Sequence, residues 1–216
     1  MARVLGGLMI SLLALGLAAT ARAEGRWQQV ENQDNCAVWN ANSKKTSKIT
    51  WTGACVNGKA SGAGAMIWRY SLPDLPKPYR GMQFEDTYTG TMQNGKRHGR
   101  GVNANGKGIY YEGDWKDGKE HGRGIYNYGR YIRYEGDWKD GKMHGRGVMV
   151  QREKHIKYDG DWKDNKPHGH GVVVSANGDS CEGDWHKGKQ QGTGEAWVNG
   201  QKTKCYIDGE LIEFKD

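Results

Sequence analysis

The chain has 216 residues, among them 34 glycines, 9 tryptophans and 11 tyrosines but only 2 phenylalanines, and a formal net charge of +7. A compact globule of this length needs far more aliphatic residues in its centre, so the composition argues against a conventional single-core enzyme fold. Aromatic rings, at ~150–250 Å² each, must supply most of the buried area.

Arg3, the apolar run Val4 to Ala19 and the small-x-small pattern Ala21-Arg-Ala23 read as a signal peptide over residues 1–23. The run is shorter than the roughly 20 residues of a membrane span, so cleavage before Glu24 and export, periplasmic or secreted, are expected. Loss of Arg3 and Arg22 leaves 30 basic against 25 acidic residues, or +5. Export together with this modest charge argues against a nucleic-acid partner. Residues 24–50 form an N-terminal strand or cap segment.

All four cysteines, Cys36, Cys55, Cys181 and Cys205, follow the leader, and an even number in an oxidising compartment favours disulfides. Three connectivities are open. A hairpin of Cys36–Trp39 with Ile49–Cys55 would turn at Lys45/Thr46 and set Cys36 opposite Cys55. Cys181 with Cys205 is the remainder, and it requires an irregular last repeat, because regular strands would turn the two side chains to opposite faces.

From residue 51 to 216 the chain is repetitive. Tyr111-Glu-Gly-Asp-Trp-Lys-Asp-Gly-Lys-Glu-His-Gly-Arg-Gly124 returns as Tyr134 to Gly147 with Met143 for Glu120, and more loosely as Tyr158 to Gly171 and Cys181 to Gly194. Trp115, Trp138, Trp162 and Trp185 are spaced 138−115=23, 162−138=24 and 185−162=23 residues apart. A period of this size marks an array whose copies bury their apolar side by stacking on one another. Copies are placed near 51–68, 88–104, 111–128, 134–150, 158–175 and 181–198, with a partial copy at 204–214. Met92 and Cys55 stand in the tryptophan place of the first two. A proline-rich insert at 69–87, with Pro73, Pro76 and Pro78, reads as an extended connector outside any ladder and a candidate cover for a sheet edge.

Within a copy Tyr111, Gly113 and Trp115 alternate with Glu112, Asp114 and Lys116, Asp117-Gly118 gives a turn, and Gly122, Gly124 and Tyr126 share a face of the returning strand. Each copy is thus a β-hairpin, and the expected fold is all-β: an elongated, twisted, largely single-layer antiparallel sheet of tandem hairpins forming one domain.

The pattern Y-E-G-D-W-K-D-G-K-x-H-G-x-G resembles the membrane occupation and recognition nexus (MORN) repeat from Trp51 to about Tyr206. The resemblance implies β-hairpin arrays that act as scaffolds, protein-binding surfaces or, in some members, phospholipid-binding surfaces, with any catalysis carried on an attached domain. Asn165-Lys-Pro167, Cys181 and the first two copies depart from the pattern.

His98, His121, His144 and His168 share one slot, but equivalent positions two strands apart lie roughly 9–10 Å from each other, too far for one metal ion; His155, His170 and His186 fall outside that spacing. The pairs Glu112/Asp114, Glu135/Asp137, Asp159/Asp161 and Glu182/Asp184 alternate with lysines and read as a solvated mixed-charge face. Neither an enzyme nor a cofactor or metal is expected. The rings Tyr111, Trp115, Tyr134, Trp138, Tyr158, Trp162 and Trp185 are either the core or a partly exposed groove for protein or cell-wall glycan. Arg130/Arg133 and Arg152/Lys154/Lys157 are the basic clusters that would meet anionic phospholipid. A protein partner is the first expectation, lipid or glycan the alternatives.

Overall fold

The computed structural model describes residues 25–41, 48–71 and 82–206. The expected leader, Pro73, Pro76 and Pro78, the covering of an edge by their loop, and the partial copy beyond Tyr206 lie outside those residues. The described residues contain sixteen β-strands and no helix. Five repeat copies are the hairpins β6–β7 (Gln83–Gln93, Lys96–Asn105), β8–β9 (Ile109–Lys116, Lys119–Tyr128), β10–β11 (Ile132–Lys139, Lys142–Gln151), β12–β13 (Ile156–Lys163, Lys166–Val174) and β14–β15 (Ser180–His186, Lys189–Val198). The remaining strands are β1 (Arg26–Gln29), β2 (Ala37–Asn40), β3 (Lys48–Trp51), β4 (Ala54–Val56), β5 (Lys59–Ser71) and β16 (Gln201–Cys205).

Contacts divide the chain into two units. The N-terminal unit runs to Arg130 and also takes in Trp138–Gly141; the C-terminal unit comprises Tyr131–Asp137 and the chain from Lys142 onward. In the first the hydrogen-bonded strand order is β1-β2-β5-β6-β7-β8-β9, with β3 and β4 also on β5; in the second it is β10 to β16 in sequence order. Both orders are linear, so each unit is an open sheet of tandem hairpins; the pairings from β5 to β9 and from β11 to β16 are antiparallel, and β2 meets β5 through a single parallel bridge.

The turns follow from their residues. At Asn94-Gly95, Asp117-Gly118, Asp140-Gly141 and Asn199-Gly200 both central residues have positive φ, between 50° and 87°. That is the type I′ geometry whose twist matches the flanking strands. Asp164-Asn165 and Lys187-Gly188 hold the same shape with less suitable residues. These turns also lock the copies together. The amide of Gly118 donates to the carbonyl of Arg97 (2.9 Å), Gly141 to Glu120 (2.9 Å), Asn165 to Met143 (3.1 Å) and Gly188 to Pro167 (2.9 Å), in each case reaching back one copy.

The returning strand does not alternate as expected. Gly113 pairs with Gly124 but Asp114 pairs with His121, so Gly122 and Arg123 form a bulge, and Gly122 sits at φ +56°. The extra residues re-aim the strand and tighten its twist. The same shift follows Gly90 in β6 and Gly160 in β12.

Two sequence expectations are corrected at the N-terminal end. Cys36–Trp39 and Ile49–Cys55 do not form a hairpin. β2 pairs with β1, with Trp27 opposite Trp39, whereas β3 and β4 pair with β5. Backbone amides of Ala37 and Trp39 donate to the turn carbonyls of Gly58 (3.0 Å) and Gly95 (2.7 Å), so β2 lies along the turns and satisfies their outward carbonyls. The expected connector at 69–87 is strand at both its ends. Arg69, Tyr70 and Ser71 pair with Glu85, Phe84 and Gln83, which lengthens β5 and β6.

Candidate interaction surfaces of the repeat array

Each recurring residue has a structural task. Tyr111, Tyr134 and Tyr158 lie flat over the glycine of the next strand, and their hydroxyls donate to the carbonyls of Asp114, Asp137 and Asp161 at 2.9, 2.9 and 3.0 Å. The following tryptophan reaches back. Nε1 of Trp115, Trp138, Trp162 and Trp185 donates to the carbonyl of Gly101, Gly124, Gly147 and Gly171 at 3.0, 3.2, 3.0 and 3.4 Å. Rings meet edge to face within a copy, Tyr111 with Trp115 (5.0 Å) and Tyr158 with Trp162 (5.2 Å), and between successive copies, Tyr111 with Trp138 (5.2 Å) and Tyr158 with Trp185 (5.5 Å). This is the favoured aromatic geometry, and burying such a ring stabilises by roughly 1.5–3 kcal/mol.

The seven rings, read in the sequence as either core or groove, are the core, at 0–8 % exposure. At that burial they present no open face to a sugar or peptide: glycine backbone lies under the tyrosines and neighbouring rings close their sides. Burial also pushes the phenols of Tyr111 and Tyr158 well above the usual tyrosine range. That of Tyr88 rises to about 12, burial outweighing the opposing pull of Arg97. Arg97 is itself half-buried: its guanidinium lies 4.3 Å from the Trp115 ring centre and donates to Asn103 Oδ1 at 2.8 Å. Desolvation lowers its pKa while Glu120 opposes the fall.

In three of the four carboxylate pairs the second acid is not simply solvated. Oδ2 of Asp114, Asp137 and Asp161 accepts the backbone amide of Arg123 (3.0 Å), Arg146 (3.0 Å) and His170 (3.1 Å), which holds the bulge closed. The first acids, Glu112, Glu135 and Glu182, remain exposed. Among the described residues no group of three or more His, Cys, Asp or Glu side chains is arranged to hold a metal ion. Here the sequence signal was present but its meaning was not: a G-D step opposite H-G-x-G marks a capped bulge.

The degenerate copies keep the plan with other atoms. Trp51, fully buried, takes the tyrosine place, and its Nε1 donates to the Ala54 carbonyl (3.0 Å) as a tyrosine hydroxyl would. Met92 fills a tryptophan place at 3 % exposure. Cys36 is joined to Cys55 and Cys181 to Cys205, with Cα separations of 5.7 and 5.9 Å. Cys181 stands opposite Ala196 and Cys205 opposite Gly194, on strands flanking β15, so the second bridge passes over Gly194 where other copies place a tyrosine. Buried Gln190 packs beside it, Nε2 lying 3.5 Å from Cys181 Sγ. Tyr206, by contrast, is 56 % exposed.

What the fold leaves outside is different from what the sequence suggested. Arg133 pairs with Glu135 (2.7 Å) and Lys157 with Asp159 (3.2 Å). Arg130 is exposed at the end of β9, and Arg152 and Lys154 are exposed in the β11–β12 turn. In the N-terminal unit Trp27 is 43 % and Val56 53 % exposed. Trp27 packs edge-on against Trp39 (5.4 Å), Lys59 Nζ lies 4.6 Å above the Trp27 ring and Lys96 Nζ 5.6 Å above that of Trp39. Sequence reading missed this patch, since Trp27 and Trp39 fall outside the repeat.

Stacked β-hairpins, each finished by the tryptophan of the next, define a tandem-repeat protein whose copies are completed by neighbours. The MORN repeat family matches five segments, residues 88–102, 111–131, 134–152, 158–180 and 181–202, and the chain is a MORN-repeat protein. No curated protein matches it. Repeats of this family serve in binding protein or membrane lipid and are typically non-catalytic.

Proposed function

We propose that the protein is an exported, non-enzymatic scaffold of the cell envelope that binds another protein through the patch around Trp27 on its N-terminal cap. One observation carries this reading: the recurring aromatics and aspartates are consumed by the fold, whereas Trp27 remains 43 % exposed beside Val56, Lys59 and Lys96. Exposed tryptophans ringed by polar groups are characteristic anchors of protein interfaces. The Cys36–Cys55 bridge and the amides of β2 on the turns hold the patch in place, which lowers the ordering cost of association. The leader-like residues 1–23 and the paired cysteines support export.

The test is a photo-crosslinking side chain at position 27 in cells, with the captured protein identified and then titrated in purified form. Trp27→Ala should weaken that binding by more than about tenfold, ~1.4 kcal/mol, with an unchanged far-UV spectrum. Equal affinity of the variant removes the patch from the account. Anionic phospholipid at Arg152 and Lys154 is the second reading, favoured by their exposure in one turn. It predicts salt-sensitive sedimentation with phosphatidylglycerol vesicles that Arg152→Glu with Lys154→Glu abolishes.

A further inference from the structure

We propose that His168 and His186 form a two-imidazole site for a divalent d-block cation on the outer face of the C-terminal unit. β13 and β14 pair with Gly169 opposite Trp185 and His170 opposite Asp184, which sets His168 across from His186 one step further along. The two ring centres are 4.9 Å apart and their planes are inclined by 47°. Imidazole nitrogens bind such ions at about 2.0–2.1 Å, so two donors on one ion stand roughly 3–3.4 Å apart. Rings already this close reach that spacing by side-chain rotation alone. His186 is exposed and His168 half-buried, which leaves the other coordination positions open to water or to a donor from a bound partner.

This pairing occurs at one junction of the array. The residue after the tryptophan is lysine in the three preceding copies, Lys116, Lys139 and Lys163, and histidine only at position 186. His98 and His144 consequently face an ammonium group, given Gly99 opposite Trp115 and Gly145 opposite Trp162. His170, on the same face of β13, is not a third donor. Its Nε2 lies 2.8 Å from Glu182 and its Nδ1 3.2 Å from Asp184. Lys163 and Lys187 act on the pair as well as Asp161. That mixed surround disfavours hard ions such as calcium or magnesium, which need several oxygens, and selects those that prefer imidazole, copper(II) and nickel(II) above manganese(II).

The experiment titrates nickel chloride into metal-stripped, untagged protein by calorimetry, alongside His186→Lys, which restores the residue of the other copies, and His168→Gln. One nickel per chain is expected, weakened by at least about tenfold in each variant, and retained when exposed His155 is changed to glutamine. A second readout uses wild-type protein alone: copper(II) should broaden the imidazole NMR signals of His168 and His186 before those of the other five histidines. Unchanged affinity in His186→Lys, broadening that starts elsewhere, or no nickel binding at millimolar concentration overturns the proposal.

Discussion

Replacing Gly124 by alanine tests whether the tyrosine-over-glycine contact is what makes a copy fold. An added Cβ would stand 2.5 Å from Tyr111 Cζ and 2.6 Å from Cε2. Ordinary carbon contacts are about 3.5–4.0 Å, so the ring would have to retreat by ~1 Å. It has nowhere to go. Tyr111 is 2 % exposed, Trp115 and Trp138 stand 5.0 and 5.2 Å away, and the hydroxyl is tied to the Asp114 carbonyl at 2.9 Å. Overpacking costs ~1–3 kcal/mol, and detaching the hydroxyl adds ~1 kcal/mol. Gly124→Ala should therefore destabilise by about 2–4 kcal/mol. Gly106→Ala is the control, because an added Cβ there meets nothing within 4 Å. Its effect should lie within roughly 1 kcal/mol of zero and toward stabilisation, through the unfolded chain. Urea unfolding followed by tryptophan fluorescence gives both midpoints. Part of the cost should disappear in the Tyr111→Phe background, where the hydroxyl is already gone. Equal midpoints for the Gly124 and Gly106 variants would refute the packing argument.

Asp137→Ala removes the acceptor of the Arg146 amide in the bulge and should cost about 1–2 kcal/mol, measured by the same unfolding, whereas Glu135→Ala, at an exposed site, should stay within about 0.5 kcal/mol; equal costs would mean that the bulge does not depend on its cap. His170 is held above the ordinary histidine range by its hydrogen bonds to Glu182 and then Asp184. A raised folded pKa means that this contribution to stability is complete below the unfolded value, near pH 6.5, and fades as pH rises through the folded one. Being exposed, the group contributes little; NMR titration should place its midpoint above that of the same residue in Glu182→Gln, and identical midpoints would show that the contact does not persist in solution.

The hairpin plan was legible in the sequence because its signals are local. An Asp-Gly or Asn-Gly dipeptide needs positive φ at both turn positions, and Tyr111, Gly113 and Trp115 share a face by simple alternation. The bulge was not, since an aspartate that caps a backbone amide and one that meets solvent look alike in a string. Burial of the rings was legible only in part: composition makes the aromatics the main buried area, but what covers each ring does not show in the string. One hairpin cannot cover its own tyrosine, and only the tryptophan of the following copy, 5.2 Å from Tyr111, supplies the lid. Cys36 does reach Cys55, yet by way of the parallel bridge between Ala37 and Lys59 and the pairing of β4 with β5, a route that pattern alone does not reveal.

Because each tryptophan and each turn amide bonds to a carbonyl in the copy before it, the array has a direction. A copy offers sockets to its successor and needs plugs only from itself, so the chain emerging from a ribosome always meets a finished template on its leading side. β2, seated on the turn carbonyls of Gly58 and Gly95, brings the first template into being. In the last described copy the Cys181–Cys205 bridge stands over Gly194 where the other copies set a tyrosine, so that copy is fastened by a covalent bond in place of a ring.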